Sequence, residues 1–396
     1  MNTHHSSTRS TRWLARAVGG TTCVLLWSVM STAQIPGLLG RASLASGDLD
    51  YELQSAAATP DGKALWFVAS AHAKGQVRGG TLVLAAVDAR NDITQSSLTL
   101  DAPDKPAEPV SRSARRQLVD GMAFDSRGDL LIQVGRGATP PAIVRVQLDS
   151  RRVEAPRPLQ LTTSNSDVHK IVRLTDGRVL ALGNADDKLF AAELADNGRM
   201  VWQKSLAAES GFVEMAASTF DGGAVVLARH GQDVASAQIW IGKLSSKGEL
   251  ERAITVPGRT GSAAALREGG YAIVTSQAGA RGFDVTLRLF GPDMRERSSS
   301  PIVKDQVNPE FAVVAAPRGG FLVAGTKDRG LWVSQFGADG RAIWTETRTP
   351  TPPEAEMVFN LRLLSVGDTF FLPYTAFTLD GREQRQSIRV LKFQAR

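Results

Sequence analysis

Cysteine is almost absent from this chain of 396 residues: Cys23 is the single one. A disulfide framework is thereby excluded, and so is a cysteine-based zinc centre, which needs several thiolates at fixed spacing. Histidine is scarce too, and with His4 and His5 near the N-terminus only His72, His169 and His230 remain for the body of the chain. The patterns HExxH, CxxC, GxSxG and GxxxxGK[ST] do not occur. The common zinc, serine-hydrolase and nucleotide chemistries therefore lack their parts. Clusters of one charge sign are also missing. The net charge is +6, with basic and acidic residues interspersed, so the footprint of a nucleic-acid binder is absent despite a sequence pI of 9.6.

Long apolar runs are missing as well, with one short exception. The first 33 residues carry Arg9, Arg12 and Arg16 without any acid, then the apolar segment Cys23 to Met30, then Ser31-Thr32-Ala33. This is the layout of a secretory signal peptide cut near Ala33. The run is too short for a membrane anchor, and Gly20-Thr21-Thr22 before Cys23 lacks the leucine-plus-small pattern of a lipoprotein signal. We therefore expect a signal peptide over 1–33, one mature domain over 34–396, no transmembrane segment after cleavage, and a periplasmic or secreted protein. Loss of the three arginines brings the net charge to +3, with 43 basic against 40 acidic residues.

What is present in quantity is glycine, 37 residues, in a chain 42% hydrophobic and 22% charged. That composition is ordinary for a globular protein with a sizeable core. A glycine stands just before an apolar run at Gly62, Gly128, Gly177, Gly223, Gly270, Gly320 and Gly367, at intervals of 66, 49, 46, 47, 50 and 47 residues. Self-similarity at such a period marks a repeat architecture. Within a repeat, as in Phe311 to Thr345, four short apolar stretches alternate with turns such as Ala338-Asp339-Gly340. Aspartate, asparagine and glycine are what tight hairpins need.

A four-stranded unit cannot bury both of its faces alone, whereas seven arranged radially bury them against each other. The expected fold is all-β: a seven-bladed β-propeller of four-stranded antiparallel blades. The last repeat ends at its third strand, Ile388 to Phe393, so the segment around Leu39 to Leu44 is expected to supply the outer strand and close the ring. An open solenoid would need capping units, and none is visible. The long first interval is assigned to an exposed loop, Ala102 to Arg116.

Asp339-Gly340-Arg341-Ala342-Ile343-Trp344 and Asn197-Gly198-Arg199-Met200-Val201-Trp202 share a D/N-G-x-x-x-W signature. It resembles that of bacterial extracytoplasmic propeller proteins grouped around the PQQ-like propellers, and implies that the tryptophan docks one blade on the next. Asp120 to Gly128 (DGMAFDSRG) is similar to the repeats of NHL and lactonase-like propellers. The resemblance covers nearly all of the mature chain as architecture and implies no activity, because these are scaffold signatures. A quinoprotein dehydrogenase is disfavoured, since such enzymes have longer chains and a more regular tryptophan pattern.

Chemistry is sought where the chain enters each inner strand, at the mouth of the central channel. Those windows contain Glu52, Asp120, Asp167, Glu214, Glu310 and Glu356, with His169 beside Asp167 and Arg259 in the fifth repeat. Convergent carboxylates would raise one another's pKa values and attract a cation, a cationic peptide or sugar hydroxyls. The same positions would equally make a solvated rim. No resident cofactor is expected; the Asn184 to Lys188 loop (NADDK) offers oxygens for a calcium ion but reads more simply as a turn. Trp66, Trp202, Trp240, Trp332 and Trp344 alternate with apolar residues inside strands, which places them in the core between blades rather than on a sugar platform.

These readings lead to a monomeric, non-catalytic propeller that binds a protein partner or a cell-envelope glycan. The rival expectation is a metal-dependent lactonase or lyase with Glu52, Asp120, Asp167, His169 and Glu310 near the axis.

Overall fold

The doubled glycine that opens three of the seven repeats, ending at Gly223, Gly270 and Gly320, has two tasks. In the turn after Ala316, the amide of Gly319 donates to Ala316 O at 3.1 Å and that of Ala316 to Gly320 O at 3.0 Å. Gly319 has φ 102°, a conformation that side chains resist. A Cβ on Gly320 would overlap the carbonyl oxygen of Phe336 on the third strand of the same sheet. Both glycines have positive φ, Gly320 at 70°, and the second also lets a strand approach. The same pair of hydrogen bonds closes the turns at Leu174–Arg178, Thr219–Gly223 and Gly337–Arg341.

The computed structural model describes residues 38–74, 81–88, 92–96, 119–135, 140–150, 152–161, 166–206, 211–231, 236–327, 330–348, 356–380 and 383–394. The expected signal peptide and the Ala102 to Arg116 loop lie outside the described residues. Every helix or strand among those described is a strand. They form seven antiparallel sheets, the blades of a propeller. Blade 4 shows the plan: Phe212–Ser218 innermost, then Ala224–His230, Gln238–Leu244 and Leu250–Pro257 outermost. The other inner strands are Leu49–Ala58, Val119–Phe124, Ser166–Arg173, Thr260–Ala265, Phe311–Ala315 and Glu356–Phe359. The last opens blade 7.

Ring closure follows the sequence expectation. Leu38–Leu44 pairs antiparallel with Glu383–Gln394, with Ala42 opposite Val390 and Leu44 opposite Ile388. The N-terminal strand is thus the outer strand of blade 7. No helix among the described residues is long and apolar enough to cross a membrane.

The core is divided among seven seams, one between each pair of neighbouring blades. The second strand of blade 4 explains why its sequence is a continuous apolar run. Val226 and Ala228 face blade 3, packing with Leu180 and Leu182. Val225 and Leu227 face blade 5, packing with Ile273 and Phe290. Successive side chains of a strand point to opposite faces, and here both faces are seams. The five tryptophans named from the sequence all pack in these seams. Trp202 on blade 3 lies over Gly248 of blade 4, where a Cβ would overlap its ring, and Trp344 packs against the seam between blades 6 and 7.

Candidate functional site at the channel mouth

Inner strands of neighbouring blades lie side by side without forming a sheet. Their outward N–H groups at the mouth therefore need side-chain acceptors. Four of the inner strands carry a local irregularity here. Pairing with the second strand skips one residue at Gln54, Asp120, His169 and Glu214. A bulge of this kind bends the strand and re-aims a side chain.

In blades 3 and 4 the re-aimed side chain reaches across the seam. His169, 3% exposed, accepts the amide of Val213 on Nδ1 at 3.0 Å. Glu214 accepts the amide of Gly261 on Oε2 at 3.0 Å. Two further seams use hydroxyls: Ser262 accepts from Val313 N at 3.1 Å and Thr375 from Leu53 N at 2.9 Å.

The candidate acids are therefore not equivalent. Asp120 and Glu214 share the bulge position with His169, whereas Glu52 and Asp167 lie two residues before it. In blade 1 the bulge residue is Gln54, which donates to Ser70 Oγ at 3.0 Å. Glu310 stands just ahead of its strand, its amide donating to Thr326 Oγ1 at 3.0 Å. Asp120 and Glu356 lie in the inner strands of blades 2 and 7, and their side chains are outside the described residues.

The structure gathers the rest into two groups. On blades 3 to 5, Glu214 has a side chain 12% exposed, with Arg229 Nε 3.5 Å from its Oε1. Burial pushes its carboxyl up from 4.5 to about 7, against the opposing pull of Arg229, the Gly261 amide, Lys170 and Arg259. Asp167 Oδ2 lies 3.7 Å from His169 Nε2. Phe212 is set between the His169 ring, with centroids 4.6 Å apart, and the Arg229 guanidinium, 5.7 Å from its centroid. Arg259 lies 5.1 Å over the ring of Phe283.

The second group joins blades 6, 7 and 1. The inner strand of blade 7 breaks at Asn360, which has φ 52°, and resumes at Leu364–Val366. From the break, Asn360 Nδ2 donates to Glu52 Oε1 at 3.0 Å. The Leu361 amide and Arg362 both favour the charged form of Glu310, yet burial outweighs them and raises its pKa above the ordinary value.

One expectation is revised by this geometry. The raised carboxyls owe their shift to burial, not to one another. Among the described residues no three histidine, cysteine, aspartate or glutamate side chains come together to hold a metal ion. In the Asn184 to Lys188 segment, Asp186 and Asp187 make a two-residue hairpin turn with φ 47° and 58°, and Asn184 Oδ1 faces the Gly211 amide at 3.4 Å.

The residues not singled out from the sequence are cations and amides: Lys170, Arg229, Asn360 and Arg362. Arg229 was within reach of sequence reasoning, because the hairpin register sets it opposite Phe212, beside Glu214. The break at Asn360 had no comparable signal.

No protein-family model matches the sequence, and no curated protein matches it. Solved structures do match in fold. Virginiamycin B lyase from Staphylococcus aureus superposes with TM-score 0.57 at 11% identity, over 90% of this chain and 99% of the lyase. The polysaccharide lyase Uly1 gives 0.56 at 7% identity, over 87% of this chain and 90% of that one. A protein from Lactobacillus plantarum gives 0.51 at 10% identity, over 81% and 92%. At such identities the likeness is one of architecture, and with the sheet order it establishes the chain as a seven-bladed β-propeller.

Proposed function

We propose that this is a non-catalytic, extracytoplasmic binding propeller that holds a cell-envelope glycan or a protein partner at the channel mouth. The observation that carries this reading is the use made of the rim side chains. His169 and Glu214 join neighbouring blades through main-chain amides, and Glu52 accepts from Asn360. Polar groups so distributed form a rigid rim with varied hydrogen-bonding character, which suits recognition. The composition of residues 1–33 supports export, and a mature protein without a thiol suits that setting. It acts as a monomer in this reading.

The test is to give purified protein a panel of envelope glycans and to assay lactones and polyuronates for turnover with and without divalent metals. Saturable binding without turnover is expected. Metal-dependent turnover abolished by replacing Asp120 or Asp167 would overturn the reading. N-terminal mass analysis of the exported protein, expected to begin near Gln34, checks the localisation.

One observation favours the enzymatic alternative, a metal-dependent lactonase or lyase. Glu214 has its carboxyl at about 7 beside Arg229, and a group titrating near neutrality is suited to proton transfer. The same assay decides between the two.

A further inference from the structure

The two long strands of blade 7, Thr369–Asp380 and Glu383–Gln394, outreach the strand that closes the ring. Pairing with Leu38–Leu44 stops at Ile388, whereas the hairpin continues toward the mouth through Gln386, opposite Phe377. Blade 1 pins the projecting part, Asp50 Oδ1 accepting the Gln386 amide at 2.9 Å. On the inner strand of blade 7, Val358 packs toward blade 6, so Phe359 turns toward blade 1. Phe377 turns the same way, two residues on from Thr375, whose Oγ1 accepts the amide of Leu53 at 2.9 Å. The rings of Phe359 and Phe377 meet edge to face at 89°, with centroids 6.5 Å apart. Phe359 is nevertheless 41% exposed.

Hydrogen-bonding capacity is left over beside these rings. Asn360 follows Phe359 directly, and its Nδ2 donates to Glu52 Oε1 of blade 1 at 3.0 Å. Among the described residues this is the only side-chain hydrogen bond of either partner, and Glu52 has no ion pair. Glu52 Oε2, Asn360 Oδ1 and the second hydrogen of Asn360 Nδ2 are thus unclaimed by the described residues, on two half-buried side chains.

We propose that Phe359, Phe377, Asn360 and Glu52 form a subsite for a neutral sugar residue, its ring covering the exposed phenyl and two adjacent hydroxyls meeting the carboxylate and the amide. This assignment rests on the reading that the channel mouth is the binding face. The apolar face of a sugar ring removes Phe359 from water without asking for a polar partner there. Its hydroxyls suit the rest because each both donates and accepts: one O–H donates to Glu52 Oε2, and the oxygen of the next accepts the second hydrogen of Asn360 Nδ2. An ammonium group only donates and would leave that hydrogen unmet. An acidic sugar would set its carboxylate against Glu52, which has no cation to offset it among the described residues.

The experiment is calorimetric titration of the full-length mature protein with the neutral trisaccharides maltotriose and triacetylchitotriose, beside trigalacturonate and tetralysine. A neutral trisaccharide is expected to bind, and neither the acid nor the cationic peptide. Phe359→Ala should weaken binding about tenfold through the lost stacking, whereas Phe359→Trp keeps an aromatic face and should bind at least as well as wild type. Glu52→Ala should weaken binding by a similar factor, about tenfold, through the lost charged acceptor. Thermal melts of the variants confirm a folded ring.

Neutral-sugar binding indifferent to Phe359→Ala and Glu52→Ala would place the site elsewhere and overturn the proposal. Equal binding of trigalacturonate would overturn the choice of a neutral sugar. Binding of tetralysine alone, lost in Phe359→Ala, would replace the sugar by a cationic peptide and overturn it too. If neither trisaccharide binds, retention of a labelled envelope glycan fraction separates the remaining cases. Retention lost in Phe359→Ala and rescued by Phe359→Trp upholds the subsite. Retention indifferent to both changes sinks only this inference, and no retention sinks the binding reading with it.

Discussion

The main-chain N–H of Val213 donates to Nδ1 of His169 across the seam between blades 3 and 4, at 3.0 Å. His169 is thus a joint between repeats, and the bond fixes Nδ1 as its acceptor nitrogen. Replacing it with alanine leaves a buried amide unsatisfied, at a cost of about 1–3 kcal/mol. Asparagine carries an oxygen close to where Nδ1 stands and should restore much of the loss. Urea unfolding of the two variants checks this: equal destabilisation would mean that the ring's packing on Phe212, not the hydrogen bond, was what mattered.

Glu214 makes stability depend on pH in the less usual direction for an acid. Folding raises its pKa from 4.5 to about 7. The group's contribution is therefore fully present below 4.5 and is lost as pH rises through about 7. Glu214→Gln does not titrate, so wild type should lose about 3 kcal/mol relative to it between acid and mildly alkaline pH. Denaturant midpoints for both proteins at pH 4.5 and pH 8 measure the difference. Parallel curves would show that the carboxyl titrates normally in the folded ring.

The docking of blade 3 on blade 4 admits no side chain at Gly248, which has φ 71° and lies beneath the Trp202 ring. Gly248→Ala should cost about 1–3 kcal/mol from overpacking, with backbone strain in addition. Combining it with Trp202→Ala relieves the clash but not the strain, so the two changes should be less than additive. Additive losses in a double-mutant cycle would refute the contact.

Closure of the ring depends on a strand far from its partner in sequence. Leu44, 2% exposed, packs with Tyr51, Phe67 and Ile388 at the seam of blades 7 and 1. Leu44→Ala should cost about 2–5 kcal/mol. Deleting residues 38–44 removes the whole outer strand and leaves Glu383–Gln394 as an open edge, a template for intermolecular pairing. Light scattering should show association of the truncated protein; a soluble monomer with an unchanged melt would mean that the ring does not need the closing strand.

Much of the fold was legible before any coordinates. Gly-Gly doublets, Asp-Gly turns and apolar runs report local conformation, and local conformation recurs each time the repeat does. Even closure could be argued, because Ile388 to Phe393 left the last blade one strand short and the segment around Leu39 to Leu44 was unassigned. The site was less legible. Counting back from each anchor glycine brought Glu52 and Asp167 into line with Asp120 and Glu214, yet the bulges at Gln54 and His169 show that the true equivalents lie two residues on. A single skipped residue reverses the face of every side chain before it, and nothing in a chain of alternating residues announces where the skip falls.

By itself, the sequence determined how many blades form, where each turns and which strands bury both faces, since these follow from glycine conformation and from a period of two. Only the tertiary structure decided what the mouth of the channel is. His169, Glu214 and the amides of Val213 and Gly261 come from three blades and meet only when the ring closes. Whether a carboxylate among them is charged depends on how deeply that closure buries it, a property of the assembled seams that no stretch of the chain holds alone.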